Sequence, residues 1–445
     1  MVMDSVCRPG HGNPGGRKAR AGPGKAEGKQ DSPGGASEMP EGERGKTAPG
    51  GPGLSEGGAC ARGRKRPPGK PCGGRERRGV RRSLSLPANL FYANFRFHDI
   101  LLRMKDITLG TTGISVPQNA FGALPIQRDS TDLAVALLRR AYEGGMTFFD
   151  TARLYSDSED KVGNAFHGMR EKVFIASKTM AKKPDDFRRD LETSLAKLRT
   201  DYIDIYQFHQ AGQCYRPGDG TGMYECMEEA KREGKIRHIG ITAHKISVAE
   251  EAVRSGLYET LQYPFSYLAS PKEMELVTLC RERNVGFIAM KGLAGGIITD
   301  SRAAMAFMAQ YDNVLPIWGI QREAELDEWL SYMKDTPAMT EETEAFIRNE
   351  RAELAGDFCR GCGYCMPCPA GIQIHNCART SLLLRRAPSS AWLTPAWQEE
   401  MRKIEGCLHC GKCASRCPYG LDTPALLQKN WQDYQAVLAG QVSVG

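Results

Sequence analysis

From Ile114 to Gly319 the chain alternates short runs of β-branched and aromatic residues with longer amphipathic segments. Eight runs have the length and composition of strands: AFGALP, TFFDTA, VFIASKT, YIDIYQFH, IRHIGIT, TLQYPFSY, VGFIAMKG and NVLPIWG. The intervening segment DDFRRDLETSLAKL is typical of a helix, because its apolar residues recur on one face: Phe187, Leu191, Leu195 and Leu198. Eight strand–helix repeats in about 230 residues predict an α/β fold, a closed parallel (β/α)8 TIM barrel, for which about 250 residues are typical.

A doubly wound open sheet is the alternative fold for such an alternation. It usually carries the pattern GxGxxG after its first strand, and here that position reads GALPIQ. The barrel is therefore favoured. Within it, Ser247 and Glu250 predict a capping box that opens the helix after IGIT.

The first 82 residues contain 21 Gly and 10 Pro and no aromatic residue. Such a composition cannot bury enough apolar surface to offset chain entropy, so we predict a disordered extension over residues 1–103. This extension carries 20 Lys+Arg against 9 Asp+Glu, or +11, whereas the remainder carries 40 against 44, or −4. A solvated tail is favoured over a nucleic-acid or anionic-surface arm. Because Met104 opens a stretch that reads like a natural start, residues 1–103 are alternatively an upstream extension outside the mature protein.

The folded part is mildly acidic, so its charge gives no reason to expect nucleic acid as a partner. It has no run of eighteen or more apolar residues, so no membrane span is predicted. Nine of the fifteen cysteines lie between Cys359 and Cys417, which is unlike a secreted disulfide framework. The N-terminus also lacks a signal-peptide pattern. We therefore expect a reducing, cytoplasmic location.

Polar side chains close three successive predicted strands. Asp150 ends the second strand, Lys178 the third and His209 the fourth, while Tyr155 lies in the loop after Asp150. In a parallel barrel these ends meet at the mouth where the chemistry takes place. An ammonium favours the phenolate of a nearby tyrosine, a carboxylate keeps that ammonium charged, and an imidazole can donate to a substrate oxygen. Each residue alone could be a cap, a rim charge or a packing residue, but the four together predict a catalytic site.

The segments FFDTARLY, FIASKT and YQFH resemble the catalytic segments of the aldo-keto reductases, and the resemblance extends over roughly residues 104 to 334. It implies a TIM barrel, bound NADP(H) or NAD(H), and a small-molecule carbonyl substrate. It also implies that Tyr155 protonates the carbonyl as hydride arrives, within a tetrad completed by Asp150, Lys178 and His209. By position, it assigns cofactor binding to Thr242, Gln262, Met290, Leu293 and Gly319. A methionine in a strand, such as Met290, is more often a plain core residue.

Two runs of four cysteines follow the barrel, CRGCGYCMPCP from Cys359 and CLHCGKCASRCP from Cys407. They resemble the bacterial two-cluster ferredoxin pattern, in which three closely spaced thiolates and one distant thiolate hold each [4Fe-4S] cluster. The resemblance implies one cluster on Cys359, Cys362, Cys365 and Cys417, and a second on Cys407, Cys410, Cys413 and Cys368. Spacing in the first run is one residue short before its last cysteine, so Cys377 is an alternative to Cys368. A zinc site is the other alternative, although eight cysteines exceed what one such site needs.

These patterns predict three parts: the basic extension over 1–103, the barrel over 104–340, and a mainly helical ferredoxin-like iron–sulfur domain over 341–435. The predicted protein is an oxidoreductase that reduces a carbonyl with NAD(P)H at the barrel mouth. Its clusters would exchange electrons with a one-electron redox partner. The alternative is a redox sensor or electron carrier whose barrel binds nicotinamide with little turnover.

Overall fold

The computed structural model describes residues 104–354, 358–387 and 389–444. The predicted disordered extension over residues 1–103 lies outside these ranges. Among the helices within them, none combines the length and the apolar character that a membrane crossing requires.

The predicted eight-stranded parallel barrel is confirmed. Strands β3 to β10 follow one another around it in chain order, and β10 pairs with β3 to close the sheet. A separate antiparallel hairpin, formed by β1 and β2, precedes the barrel. The ten strands of the described ranges are β1 (Asp106–Thr108), β2 (Ser115–Pro117), β3 (Ala120–Gly122), β4 (Phe148–Asp150), β5 (Phe174–Thr179), β6 (Ile203–Phe208), β7 (Ile236–Thr242), β8 (Thr260–Pro264), β9 (Gly286–Met290) and β10 (Val314–Gly319).

The hairpin plugs one end of the barrel. Ile107 and Val116 are buried in the same apolar cluster as Phe148 and Ile205 of the barrel interior. The 3-10 turn within the hairpin, Gly110–Thr112, comes so close to β9 that a Cβ on Gly110 would lie 2.4 Å from the Gly286 nitrogen. Only glycine fits at position 110. Because the hairpin closes this end of the barrel, the opposite end is the open one.

Eight helices alternate with the barrel strands. The predicted apolar face of the third helix is confirmed, because Phe187, Leu191, Leu195 and Leu198 are all buried against the sheet-side core. The helices are α1 (Thr131–Glu143), α2 (Ser158–Phe166), α3 (Pro184–Leu198), α4 (Met223–Arg232), α5 (Ile246–Ser255), α6 (Pro271–Glu282), α7 (Ser301–Ala309) and α8 (Glu323–Lys334), with 3-10 turns at Pro125–Arg128 and Arg170–Lys172.

The predicted capping box at Ser247 and Glu250 is wrong. Helix α5 begins at Ile246 after an N-cap at Lys245 that makes no side-chain capping bond, so Ser247 already lies inside the first turn. A capping box is present instead at the start of α6, where Ser270 and Glu273 bond reciprocally to each other's backbone N–H groups.

The C-terminal part is mainly helical, as predicted. Its elements are α9 (Glu341–Glu353), α10 (Ile374–Cys377), α11 (Thr380–Arg386), α12 (Pro395–Arg402), α13 (Lys412–Ser415) and α14 (Thr423–Leu438), with 3-10 turns at Ser389–Trp392 and Lys403–Gly406. Ile347 of α9 is buried in the core of the barrel. The remaining helices share an apolar core of their own.

Helix α14 holds that second core together. The Asn430 side chain accepts from the Ser381 N–H at 2.9 Å and donates to the Ala378 carbonyl at 3.2 Å. The Tyr434 hydroxyl donates to the Trp392 carbonyl at 2.8 Å. These bonds fix α14 against α10, α11 and the turn that follows them.

Candidate active site and cysteine centre

A buried ion pair lies at the open end of the barrel. Lys178 Nζ is 2.6 Å from Asp150 Oδ2 and also donates to the Thr151 carbonyl at 2.6 Å. Burial raises the pKa of Asp150 and lowers the pKa of Lys178, while the attraction between the two charges opposes both shifts. The contact with Asp150 fixes the position of the Lys178 side chain at the open end of the barrel.

Tyr155 and His209 lie next to this pair. Lys178 Nζ is 5.2 Å from the centre of the Tyr155 ring, and the centres of the Tyr155 and His209 rings are 5.7 Å apart at 81°. Burial and then the Lys178 charge lower the pKa of His209 to about 3, so its imidazole is neutral at physiological pH. The structure thus brings together all four residues that the sequence predicts for the tetrad, and their catalytic roles stay a prediction.

A cleft opens beside the tetrad, with a cavity volume of about 110 Å³. Asp150 and Tyr155 line it together with four of the five residues predicted to bind the cofactor: Gln262, Met290, Leu293 and Gly319. Gln262 accepts a hydrogen bond from Gln207 at 2.9 Å and lines the cleft beside Asp150. The cleft wall and the tetrad therefore share Asp150 and Tyr155.

Thr242, the fifth predicted cofactor residue, is not among the residues that line this cleft. Its hydroxyl accepts the Gln210 N–H at 2.7 Å, and Gln210 has a left-handed backbone with φ of 50°. Thr242 therefore holds the turn that follows His209. Its cofactor role stays a prediction.

Two residues near the tetrad were missed by the sequence analysis. His244 is 3% exposed, and its Nδ1 has no hydrogen-bond partner within the part of the chain that the structure describes. Tyr364 of the first cysteine run packs edge-on against His244 at 5.4 Å. The Tyr364 hydroxyl donates to the Gln210 carbonyl at 3.2 Å. His244 could have been found because it continues the strand parity of Thr242, whereas Tyr364 carried no such signal.

The cysteine runs surround two cavities. One is lined by Cys359, Cys362, Cys365 and Cys417, with Ile374 and Leu421 among its apolar walls. The other is lined by Cys368, Cys407, Cys410 and Cys413, with Ile372 and Leu427 among its walls and Cys365 at its edge. Cys377 lines neither cavity, is fully buried, and contacts the Glu400 carbonyl.

The spacing of these thiols distinguishes between the possible metal groups. Among the described residues, no three His, Cys, Asp or Glu side chains are close enough to hold one metal ion. A zinc ion needs its four thiolates at about 2.3 Å, which brings the sulfurs together. A [4Fe-4S] cube is held through a different iron by each thiolate, so the sulfurs stand further apart around a cavity. The two four-cysteine cavities fit cubes better than single ions.

Burial affects the thiols of the first set strongly. It raises the pKa of Cys359 and Cys362 and raises the pKa of Cys365 to about 12. These groups are therefore protonated in the metal-free protein at neutral pH. Binding of a cluster would release the protons, which couples cluster assembly to pH.

The cysteine-rich module, defined here as residues 358–444, contacts the barrel at its open end. Lys291 Nζ donates to the carbonyls of Arg360 at 3.3 Å and Gly361 at 3.0 Å. Arg360 forms an ion pair with Glu273 at 3.1 Å, and Arg379 donates to the Gly295 carbonyl at 2.7 Å. The first cysteine run is thus anchored beside the tetrad cleft.

Comparison with known proteins supports this architecture. Residues 107–314 match the Aldo/keto reductase family, and residues 358–422 match the 4Fe-4S dicluster domain. The Bacillus subtilis protein named uncharacterized oxidoreductase YrpG is 31% identical over 221 residues, which is 43% of this chain and 67% of that protein. Uncharacterized oxidoreductase YqkF of the same organism is 28% identical over 224 residues, or 47% of this chain and 72% of that protein.

A solved aldo-keto reductase from Klebsiella pneumoniae in complex with NADPH is 24% identical, with a TM-score of 0.48 over 56% of this chain and 95% of that chain. The fold, the mouth residues and the cysteine cavities together define a TIM-barrel oxidoreductase with an iron–sulfur domain. Given its sequence relatives, the chain belongs to the aldo/keto reductase family.

Proposed function

We propose that this oxidoreductase reduces a small-molecule carbonyl with NADP(H) or NAD(H) at the barrel mouth, and that two [4Fe-4S] clusters exchange electrons with a one-electron partner. The observation that carries the first part is the contact of Lys178 with Asp150 at 2.6 Å, beside the rings of Tyr155 and His209. A buried carboxylate–ammonium pair next to a phenol is the arrangement that makes tyrosine an effective acid near neutral pH.

The bound nicotinamide would supply hydride to the carbonyl carbon. Tyr155 gives its hydroxyl proton to the carbonyl oxygen, and the phenolate that remains is stabilised by the Lys178 ammonium. Asp150 holds that ammonium in place. The neutral imidazole of His209 donates a hydrogen bond that orients the carbonyl oxygen. Gln262, Met290, Leu293 and Gly319 would hold the nucleotide, since they line the cleft next to Tyr155.

The clusters would supply one-electron transfer, which the barrel chemistry lacks. Each set of four cysteines would hold one cluster, because each set lines one cavity: Cys359, Cys362, Cys365 and Cys417 for the first, and Cys368, Cys407, Cys410 and Cys413 for the second.

We propose domain limits at residues 104–340 for the barrel and 341–435 for the iron–sulfur domain. The cysteines that line the two cavities are free thiols, which suits a reducing compartment, and we propose the cytoplasm.

The test of the barrel chemistry is Tyr155→Phe. We expect NAD(P)H-dependent carbonyl reduction to fall by about 10³-fold, because the proton donor is lost, while nucleotide binding measured by fluorescence is retained. Tyr202→Phe is the control, since the Tyr202 ring packs on Arg170 and Arg237 away from the tetrad. A Tyr155→Phe protein that reduces aldehydes at the original rate would refute the catalytic assignment.

The test of the cluster assignment is iron and sulfide analysis after anaerobic purification. Two cubes predict roughly eight iron and eight sulfide per chain. Zinc at one atom per chain without sulfide would contradict the proposal.

A further inference from the structure

The loop that follows β9, residues 291–295, is here called the rim loop. We propose that Lys291 in this loop sets the reduction potential of the cluster held by Cys359, Cys362, Cys365 and Cys417, and thereby couples that cluster to occupancy of the nucleotide cleft. This inference rests on the proposed function, because it requires both the cluster and the nucleotide.

Lys291 belongs to two sites at once. It lines the cleft together with Met290, Gly292 and Leu293. Its backbone is left-handed, with φ of 60°, which is unusual for a residue with a long side chain. From this position its Nζ donates to the Arg360 and Gly361 carbonyls in the first cysteine run. One side chain thus joins the cleft to the cluster cradle.

The bonded peptide reaches a cluster sulfur directly. The peptide between Arg360 and Gly361 accepts from Lys291 through its carbonyl and donates through the Gly361 N–H to Cys359 Sγ at 3.4 Å. An ammonium on the carbonyl polarises the peptide and strengthens the N–H donor at its other end. N–H···S bonds and nearby positive charge both stabilise the more negative, reduced state of a cluster. Lys291 therefore favours reduction of this cluster in two ways.

A second cation supports the same loop. Arg379 is 2% exposed and donates to the Gly295 carbonyl of the rim loop at 2.7 Å. The rim loop therefore carries one cation, Lys291, and accepts a hydrogen bond from a second cation, Arg379.

The second cysteine set lies in a different environment. Cys410 is exposed to solvent, as are the neighbouring Leu408 and Lys412. The Lys291 ammonium donates to carbonyls of the first run. A change at Lys291 should therefore affect one cluster and leave the other unchanged.

The test is an anaerobic redox titration followed by EPR spectroscopy, with dithionite as the one-electron reductant. The variants are Lys291→Met, which removes the charge and the donor, and Lys291→Gln, which keeps a donor without the charge. At the wild-type midpoint we expect the reduced-to-oxidised ratio of one cluster to fall about tenfold in both variants, as loss of one nearby charge predicts. Lys291→Arg should retain the wild-type ratio.

Nucleotide coupling is measured in the same titration with 1,4,5,6-tetrahydro-NADP, an analogue that transfers no hydride. Binding of this analogue should change the reduced-to-oxidised ratio of one cluster in the wild type and of neither cluster in Lys291→Met. The control variant Lys412→Met, next to Cys413, should change this ratio for the other cluster only.

Two results would overturn this inference and leave the proposed function standing. One is a Lys291→Met protein with normal iron content and an unchanged reduced-to-oxidised ratio, and the other is an equal change of this ratio in both clusters. A wild-type ratio in Lys291→Gln would show that the donor, and not the charge, is what matters, and would overturn the charge argument. A wild-type protein without iron and sulfide would instead overturn the proposed function, and this inference with it.

Discussion

The barrel mouth and the cysteine-rich module organise their reactive groups in opposite ways. At the mouth, side chains from adjacent strand ends touch one another directly, as Lys178 and Asp150 do at 2.6 Å. In the module, the cysteines of the two runs line two cavities, and no three of them are close enough together to bind a single ion. Proton chemistry needs contact between groups, whereas a cube needs a shell of thiolates around it. We therefore expect the barrel to be preorganised without its cofactor, and the module to depend on its clusters.

The largest effect that tests this contrast is expected for Lys178→Met. Carbonyl reduction should fall by about 10³-fold, and the free energy of unfolding should fall by about 3 kcal/mol because the Asp150 carboxyl is left buried without its partner. The double variant Asp150→Asn with Lys178→Met should recover much of the stability and none of the activity. Urea unfolding and steady-state kinetics measure the two effects. Full activity in either variant would contradict direct contact as the basis of the site.

A smaller effect is expected on the iron content of the module. Cys417→Ser should remove about half of the iron, because Cys417 completes the first cavity, and should leave barrel turnover of a simple aldehyde measurable. Cys377→Ser is the matched control and should retain all of the iron, since Cys377 contacts the Glu400 carbonyl and lines neither cavity. Iron loss in the Cys377 variant would instead make Cys377 a ligand.

The joint between the two regions can be tested at Ser270. Ser270→Ala should cost about 1 kcal/mol of stability by removing the capping box of α6, whose Glu273 also pairs with Arg360 of the module. Ser247→Ala should cost almost nothing, because Ser247 makes no cap. Equal losses in thermal unfolding would show that Ser270 has no special role.

The smallest effect concerns pH. The pKa of His209 is lowered from 6.5 to about 3 in the folded state, so the unfolded chain binds the extra proton first as the pH falls. Stability linked to this group is present above pH 6.5 and is lost as the pH falls toward 3. Between pH 7 and pH 6 the loss should be less than about 1 kcal/mol, reduced further by solvent at the ring. His209→Gln should make the free energy of unfolding less dependent on pH. His167→Gln, at an exposed position, should leave this dependence unchanged.

Strand-end residues were predictable from sequence because a parallel barrel brings the carboxyl ends of its strands together. Asp150, Lys178 and His209 needed only their positions in the alternating pattern to be placed at one mouth. The start of α5 was not predictable from Ser247 and Glu250, because the residues that close a capping box depend on where the turn begins, and tertiary packing decides that. His244 lies two residues beyond the end of β7, so strand parity pointed to it, but no other residue at a fixed spacing marked it as functional.

The amino-acid pattern by itself determined a closed barrel, a polar mouth and two groups of thiols, since periodicity and local spacing carry that information. Only the tertiary structure decided three contacts of the first cysteine run. Tyr364 contacts the turn after His209, and Arg360 contacts helix α6. Lys291 joins the cleft to the same run. These contacts link residues 69 to 154 positions apart in the chain. Sequence periodicity cannot report such contacts, because they depend on how one folded surface packs against another.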